Sequence, residues 1–210
     1  MLLLLTACGG REAAGPVADH VLYQDAFLPG ETGKWLLEGD EAGQTAVVDG
    51  KLVISVQQPN TMQYTSLQEP LFDDFSLEVE AQQVAGSPES SYGVLVRMRG
   101  VGQFYRFEIT SSGLYMAERH NGDGSWDQYL DDWAESEAIN QGLNASNRLK
   151  IVADGPSLQF YVNDTLLHEV MDNGVGADTA IGLDAGAFGA SGLQVAFDNL
   201  VIQELPAGAE

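Results

Sequence analysis

From Val21 onward, apolar and polar residues alternate in short runs broken by turn residues. Residues two apart share a sheet face, so this period predicts strands with one buried side. Such runs cover 21–27, 45–48, 51–56 and 75–84, then 126–130, 148–153, 158–162, 166–170, 180–185 and 195–205. Between them Asp49-Gly50, Asp154-Gly155-Pro156 and Asn163-Asp164 carry the residue types of tight hairpin turns. The one helical expectation is a short turn over 134–139, too brief to affect the class. Many close strands with turns between them predict an all-β protein, a two-sheet antiparallel β-sandwich. One domain spans 20–205, and 206–210 read as a disordered tail.

The most informative stretch runs from Tyr92 to Arg119. Val94, Val96 and Met98 alternate with Leu95, Arg97 and Arg99, and Tyr105, Phe107 and Ile109 alternate with Phe104, Arg106 and Glu108. The period sends the arginines to the face opposite the apolar set. Arg97, Arg99, Arg106 and Arg119 are four of only 9 Lys+Arg in a chain of formal charge -22. A sheet face so charged is either wet or turned to a ligand.

Composition narrows the partners. Hydrophobic residues make up 44% of the chain, enough for a sizeable core. An excess of 31 acidic over 9 basic residues excludes nucleic acid, whose phosphates need the opposite sign. It also excludes a polybasic membrane-surface mode. The acidity fits a soluble domain in an extracytoplasmic setting.

The single cysteine, Cys8, has no internal disulfide partner. It follows Leu2 to Leu5 within Leu5-Thr6-Ala7-Cys8-Gly9, which resembles a bacterial lipoprotein signal. The resemblance implies that 1–7 are a signal peptide shortened at its start. Cys8 is then the lipid attachment and 8–19 a polar tether. An acylated cysteine anchors a protein to a membrane without spanning it, and no run elsewhere approaches the ~18 apolar residues of a spanning helix. A membrane-anchored lipoprotein of the cell envelope is the expected localisation.

Several segments occur in a telling order. They are Asp25-Ala26-Phe27 with Trp35, Val48-Asp49-Gly50-Lys51-Leu52, Tyr92-Gly93-Val94-Leu95-Val96-Arg97 and Phe104-Tyr105-Arg106-Phe107. Asn147-Arg148-Leu149-Lys150-Ile151, Leu158-Gln159-Phe160-Tyr161-Val162-Asn163 and Phe197-Asp198-Asn199-Leu200-Val201-Ile202 complete the set. Together, over 20–205, they resemble the concanavalin A-like lectin/glucanase superfamily. Within it they are similar to laminin-G-like and 3-keto-disaccharide hydrolase domains, which share a jelly roll with family-16 glycoside hydrolases.

That resemblance implies chemistry which the chain supplies only in part. The Glu-x-Asp-x-(x)-Glu strand of the glucanases is absent; it would place two carboxyls about 5 Å apart for retaining hydrolysis. Glu78 and Glu80 share one strand face and read as solvated. Where the 3-keto-disaccharide hydrolase pattern has Asn-Ser-Gly and Glu-x-Gln, this chain has Ser91-Tyr92-Gly93 and Glu108-Ile109-Thr110. His20, His120 and His168 lack partners at triad spacing, and no zinc-type cluster occurs. The glucanase relatives imply a structural calcium, here carried over to Asp198, to the turn carbonyl of Gly50 and to Asp25 beside them. Asn121, Asp123, Ser125 and Asp127 echo a calcium loop, but Trp126 occupies the position that needs glycine, so a Gly122-Asp123-Gly124 turn is expected.

Jelly-roll relatives bind glycans on the concave sheet. The expected site comprises Arg97, Arg106, Glu108, Arg119, Trp126 and Tyr129, with Trp133 close by. Arginine forks suit carboxylate or sulfate, so an acidic oligosaccharide is among the ligands considered. The same arginines equally make cross-strand ion pairs with their neighbours. Three functions follow, in order: a surface-anchored, non-catalytic glycan-binding module; a glycoside-processing enzyme of the 3-keto-disaccharide hydrolase or glucanase kind; and a structural or protein-interaction module of the envelope.

Overall fold

The computed structural model describes residues 20–206, apart from 31, 32 and 175. The expected signal, Cys8, the tether and most of the expected tail lie outside these residues.

The strands are β1 (Val21–Asp25), β2 (Gly43–Val48), β3 (Lys51–Val56), β4 (Thr61–Phe72), β5 (Phe75–Ala85), β6 (Ser91–Met98), β7 (Phe104–Thr110) and β8 (Leu114–His120). They continue with β9 (Trp126–Gln128), β10 (Ala134–Glu135), β11 (Ser146–Asp154), β12 (Ser157–Val162), β13 (Thr165–Met171), β14 (Thr179–Ala187) and β15 (Leu193–Gln203). Among the described residues the first sheet runs β13-β12-β11-β5-β15-β3-β2, with β1 paired to β15. The second runs β10-β8-β7-β6-β14-β4, with β9 paired to β8. All pairings are antiparallel. This is the predicted two-layer jelly roll.

The hairpins form where the turn chemistry places them. Asp49 and Gly50 take φ of 51° and 76°, and Asn163 and Asp164 take 48° and 66°. Two successive positive φ values match the twist of the flanking strands. The inward faces meet in one core. On β5, Phe75, Leu77, Val79 and Ala81 all point inward and are buried. Phe107 of the second sheet stacks on Phe160 of the first, with ring centroids 4.9 Å apart.

Two elements differ from expectation. Of the helical turn expected over 134–139, Ala134 and Glu135 instead form the strand β10, bridging β8 at Ala134–Tyr115 and Glu135–Leu114, and a single turn follows, with the Ile139 amide donating to Ser136 O at 3.3 Å. Two pairing partners outweigh the weak helix propensity of so short a segment. The twelve-residue β4 was not expected at all. Its Thr65 and Ser66 are buried although polar, so the hydrophobic period is weak.

Candidate functional site

All eight residues of β6 are buried, which requires cover on both faces. The inner cover is the core; the outer cover is a layer of side chains on the second sheet. Cross-strand partners share a face, so this layer can be laid out in rows. One row passes through Tyr64, Asp184, Gly93, Glu108 and Met116. The next passes through Ser66, Gly182, Leu95, Arg106, Glu118 and Gln128. Beyond them Leu95, Met98 and Phe104 form a small separate apolar cluster, with Tyr64 and Ala180 packed against it.

Arg106 is the hub of the polar rows. Its Nε donates to Glu118 Oε1 at 2.8 Å, and Nη2 pairs with the same oxygen. Nε also lies 3.2 Å from Glu108 Oε2, and Nη1 lies 3.8 Å from Asp184 Oδ2. The Trp126 ring covers the guanidinium, 4.6 Å from Cζ to its centroid, a cation–π arrangement. Ser91 Oγ donates to Glu108 Oε1 at 2.6 Å. Three carboxyls therefore surround one cation.

Asp184 sits deepest, with 0% exposure, and neither carboxyl oxygen receives a hydrogen bond from a geometrically placed donor. Burial first, and then the neighbouring Glu108 charge, push its pKa well above the aspartate range. Its ionised form is therefore disfavoured beside Glu108. Contact between side chains two strands apart needs a gap in the strand between them. Gly93 provides it: a Cβ there would stand 2.0 Å from the Phe107 carbonyl oxygen. Glu118 is also raised, by burial, with Arg106 opposing.

The expected site thus divides. Arg106, Glu108 and Trp126 come together, and sequence reasoning missed Glu118, Asp184 and Ser91 beside them. Arg97, Arg119 and Tyr129 lie elsewhere. A bulge opposite Ala180 to Gly182 puts Arg97 at φ 50° and returns Met98 to the Leu95 side. Arg97 therefore leaves the face, and its Nη2 donates to Gly155 O at 2.8 Å and pairs with Asp74 at 3.1 Å. Arg119 alternates with Glu118 and so points to the other side of β8. There Nη1 bonds Asp172 Oδ2 at 2.8 Å, and the Tyr129 hydroxyl donates to the same oxygen while its ring stacks on Tyr105. These three hold turns and edges of the sandwich.

The aromatics of the face are partly free. Trp126 is 40% exposed and packs edge-on against Phe104 and His120. Trp133 meets Phe188, itself 45% exposed, edge-on at 6.3 Å.

The expected calcium positions are already engaged to different degrees. Asp25 Oδ1 accepts the Phe27 amide, and Oδ2 accepts the Tyr23 hydroxyl and the Trp35 indole N–H. Asp198 Oδ1 takes the Asn199 amide, and Oδ2 stands 3.6 Å from Lys51 Nζ. Gly50 lies in the β2–β3 turn. The Asn121 to Asp127 run closes on itself as a turn: Ser125 Oγ donates to Asp123 at 2.7 Å, and Asn121 Nδ2 donates to Asp127 at 3.0 Å. Among the described residues no three His, Cys, Asp or Glu gather to hold a metal.

The two-sheet jelly roll is the fold of solved carbohydrate-binding modules and glucanases. Among solved structures, the carbohydrate binding module CBM66 from Bacillus subtilis matches with 16% identity and a TM-score of 0.53, covering 81% of this chain and 96% of that one. The Bacillus licheniformis beta-glucanase matches with 11% identity and a TM-score of 0.63 over 88% and 98%. A Bacteroides ovatus family-16 enzyme of mixed linkage glucan, solved with its product, gives 12% and 0.64 over 87% and 100%. No curated protein matches the chain. The model of the 3-keto-alpha-glucoside-1,2-lyase-like domain matches residues 27–203, so the chain belongs to that family.

Proposed function

We propose that the outer face of the second sheet binds a carbohydrate, with Trp126 as a stacking platform and the acid cluster beneath it fixing hydroxyls. The observation that carries this reading is Arg106, held among Glu108, Glu118 and the buried Asp184 beneath the half-exposed Trp126 ring. A buried carboxyl cluster with a charge partner is a candidate functional site. The carbohydrate binding module and the glucanases of the same fold support the ligand class. Three acids around one arginine leave the site no free cation, which favours a neutral sugar over an acidic one.

A glycan array followed by calorimetry tests the proposal. Trp126→Ala should weaken binding about five- to thirtyfold, on the scale of a lost ring contact of about 1–2 kcal/mol, and leave the circular dichroism unchanged. Absence of any neutral glycan ligand overturns the reading. Arg106→Ala is a poorer probe, because stranding three buried acids costs roughly 3–5 kcal/mol in itself.

A second reading is favoured by Asp184 beside Glu108. A protonated acid against a carboxylate can exchange protons with a substrate, as a glycoside-processing enzyme of the family's named kind requires. Turnover of 3-keto-glucosides that vanishes in Asp184→Asn supports this reading, and an inert wild type removes it. The lipid anchor at Cys8 and the envelope location stand as further parts of the proposal. Acyl labelling lost in Cys8→Ser tests them. For calcium the proposal narrows to Asp198 with the Gly50 carbonyl, since Asp25 already accepts three donors. A melting temperature unmoved by chelator or by added calcium ends it.

A further inference from the structure

The acid cluster covers only part of the outer face. Beside it, a cleft of about 380 Å³ opens over the apolar end of the same sheet, in the size range of small-ligand pockets. Met98 and Ala180 line it from the sheet, while Leu36 and Leu71 line it from the rim and are 41% and 51% exposed. Two of the polar side chains around it are engaged with neighbours. Gln68 Nε2 donates to Ser66 Oγ at 2.7 Å, and Arg99 Nη2 donates to the Ala177 carbonyl at 3.1 Å. The Leu36, Leu71, Met98 and Ala180 side chains would offer the hydroxyls of a second sugar ring no partner on that wall. An apolar group would lose water and cost no hydrogen bond.

Tyr64 joins the two regions. It lines the cleft and pairs across the strands with Asp184. A ligand whose sugar lies over Asp184 and Glu108 therefore has its substituent directed past Tyr64 into the cleft. We propose that the Leu36–Leu71–Met98–Ala180 cleft is a subsite for an apolar aglycone, so that the preferred ligands are aryl or alkyl glycosides rather than unsubstituted oligosaccharides. This inference rests on the carbohydrate reading of the face.

The test compares p-nitrophenyl and methyl glucosides by calorimetry, alongside neutral gluco-oligosaccharides, on the wild type and on Leu36→Asp/Leu71→Asp. Both leucines are exposed, so the double variant should fold; its circular dichroism checks this. The wild type should bind the p-nitrophenyl glucoside roughly tenfold more tightly than the methyl glucoside, as burial of part of an aromatic ring provides. In the double variant that ratio should fall toward one. Equal binding of the two glucosides by the wild type, or a ratio that survives the double substitution, overturns the subsite while leaving oligosaccharide binding intact. Loss of every glucoside and oligosaccharide signal in the wild type overturns the carbohydrate reading, and the subsite with it.

Discussion

Asp184 binds its proton more tightly in the folded chain than at the ordinary value of 3.8, because burial and the Glu108 charge both penalise its ionised form. The stability this contributes is complete below the ordinary value and is lost as pH rises through the raised one. Glu118 has the same sign, and Arg106 opposes both. Asp184→Asn removes the titration at almost constant volume. The variant's melting temperature should therefore gain on the wild type as pH is raised from 4 to 8; a difference that stays constant or moves in the wild type's favour would place an ionised aspartate at this position. Half of this cluster was legible in the sequence. Arg106 and Glu108 announce themselves by alternating with Tyr105 and Phe107 on one strand. Asp184 does not, because it lies in a small apolar run, Ala180 to Gly186, whose pattern reads as a strand buried on both faces. Only the β14–β6–β7 pairing, between segments far apart in the chain, brings it to Glu108. Arg119 misled for the complementary reason: its parity with Glu118 puts the two on opposite sides of β8.

At the scale of the strand, register decides what the site contains. Gly93 separates the two acids, and any side chain there meets the Phe107 carbonyl and Glu108 Cα, at 2.0 and 2.8 Å from a Cβ. Because the obstacles are backbone atoms in the middle of a sheet, β6 and β7 would have to part. Gly93→Ala should destabilise the fold by about 3 kcal/mol, near the upper end for overpacking. For a domain of this size that lowers the melting temperature by about 6–12 °C, measurable by calorimetry. The Arg97 bulge is the opposite case, in which one added residue moves a side chain from the site to a structural tie. A period-2 reading has no means of seeing it, since the extra residue leaves the composition of the run unchanged. The strand β4 escaped notice because its polar residues find partners inside the protein, such as Thr65 Oγ1 donating to the Leu36 carbonyl at 2.8 Å. Turns were the most readable elements. Asp49-Gly50 and Asn163-Asp164 adopt the positive φ values that their residue types favour.

The whole molecule carries a formal charge of -22, and among the described residues only a minority of the acids meet a base. Such self-repulsion weakens the compact state and is screened within about 10 Å at 0.1 M salt. The melting temperature should rise between 10 mM and 200 mM sodium chloride. A fall would mean that the ion pairs, such as Lys150 with Glu78 at 2.9 Å, outweigh the net repulsion. The sandwich class was readable because it depends on many weak alternations at once, none of which has to be right. The candidate face was readable through Arg106 and Glu108 on β7, but the contribution of the buried β14 to it was not.

The pairing of β1 with β15 has a practical outcome. The Glu204 amide donates to the His20 carbonyl at 2.8 Å, so both ends of the folded unit leave side by side from the sheet opposite the candidate face. His20 and Glu204 can be joined by a few residues and the chain reopened between β2 and β3 at the exposed Asp49, giving a circular permutant with the same face. By the same geometry, a partner domain joined directly at His20 or Glu204 stands on the side away from the candidate face.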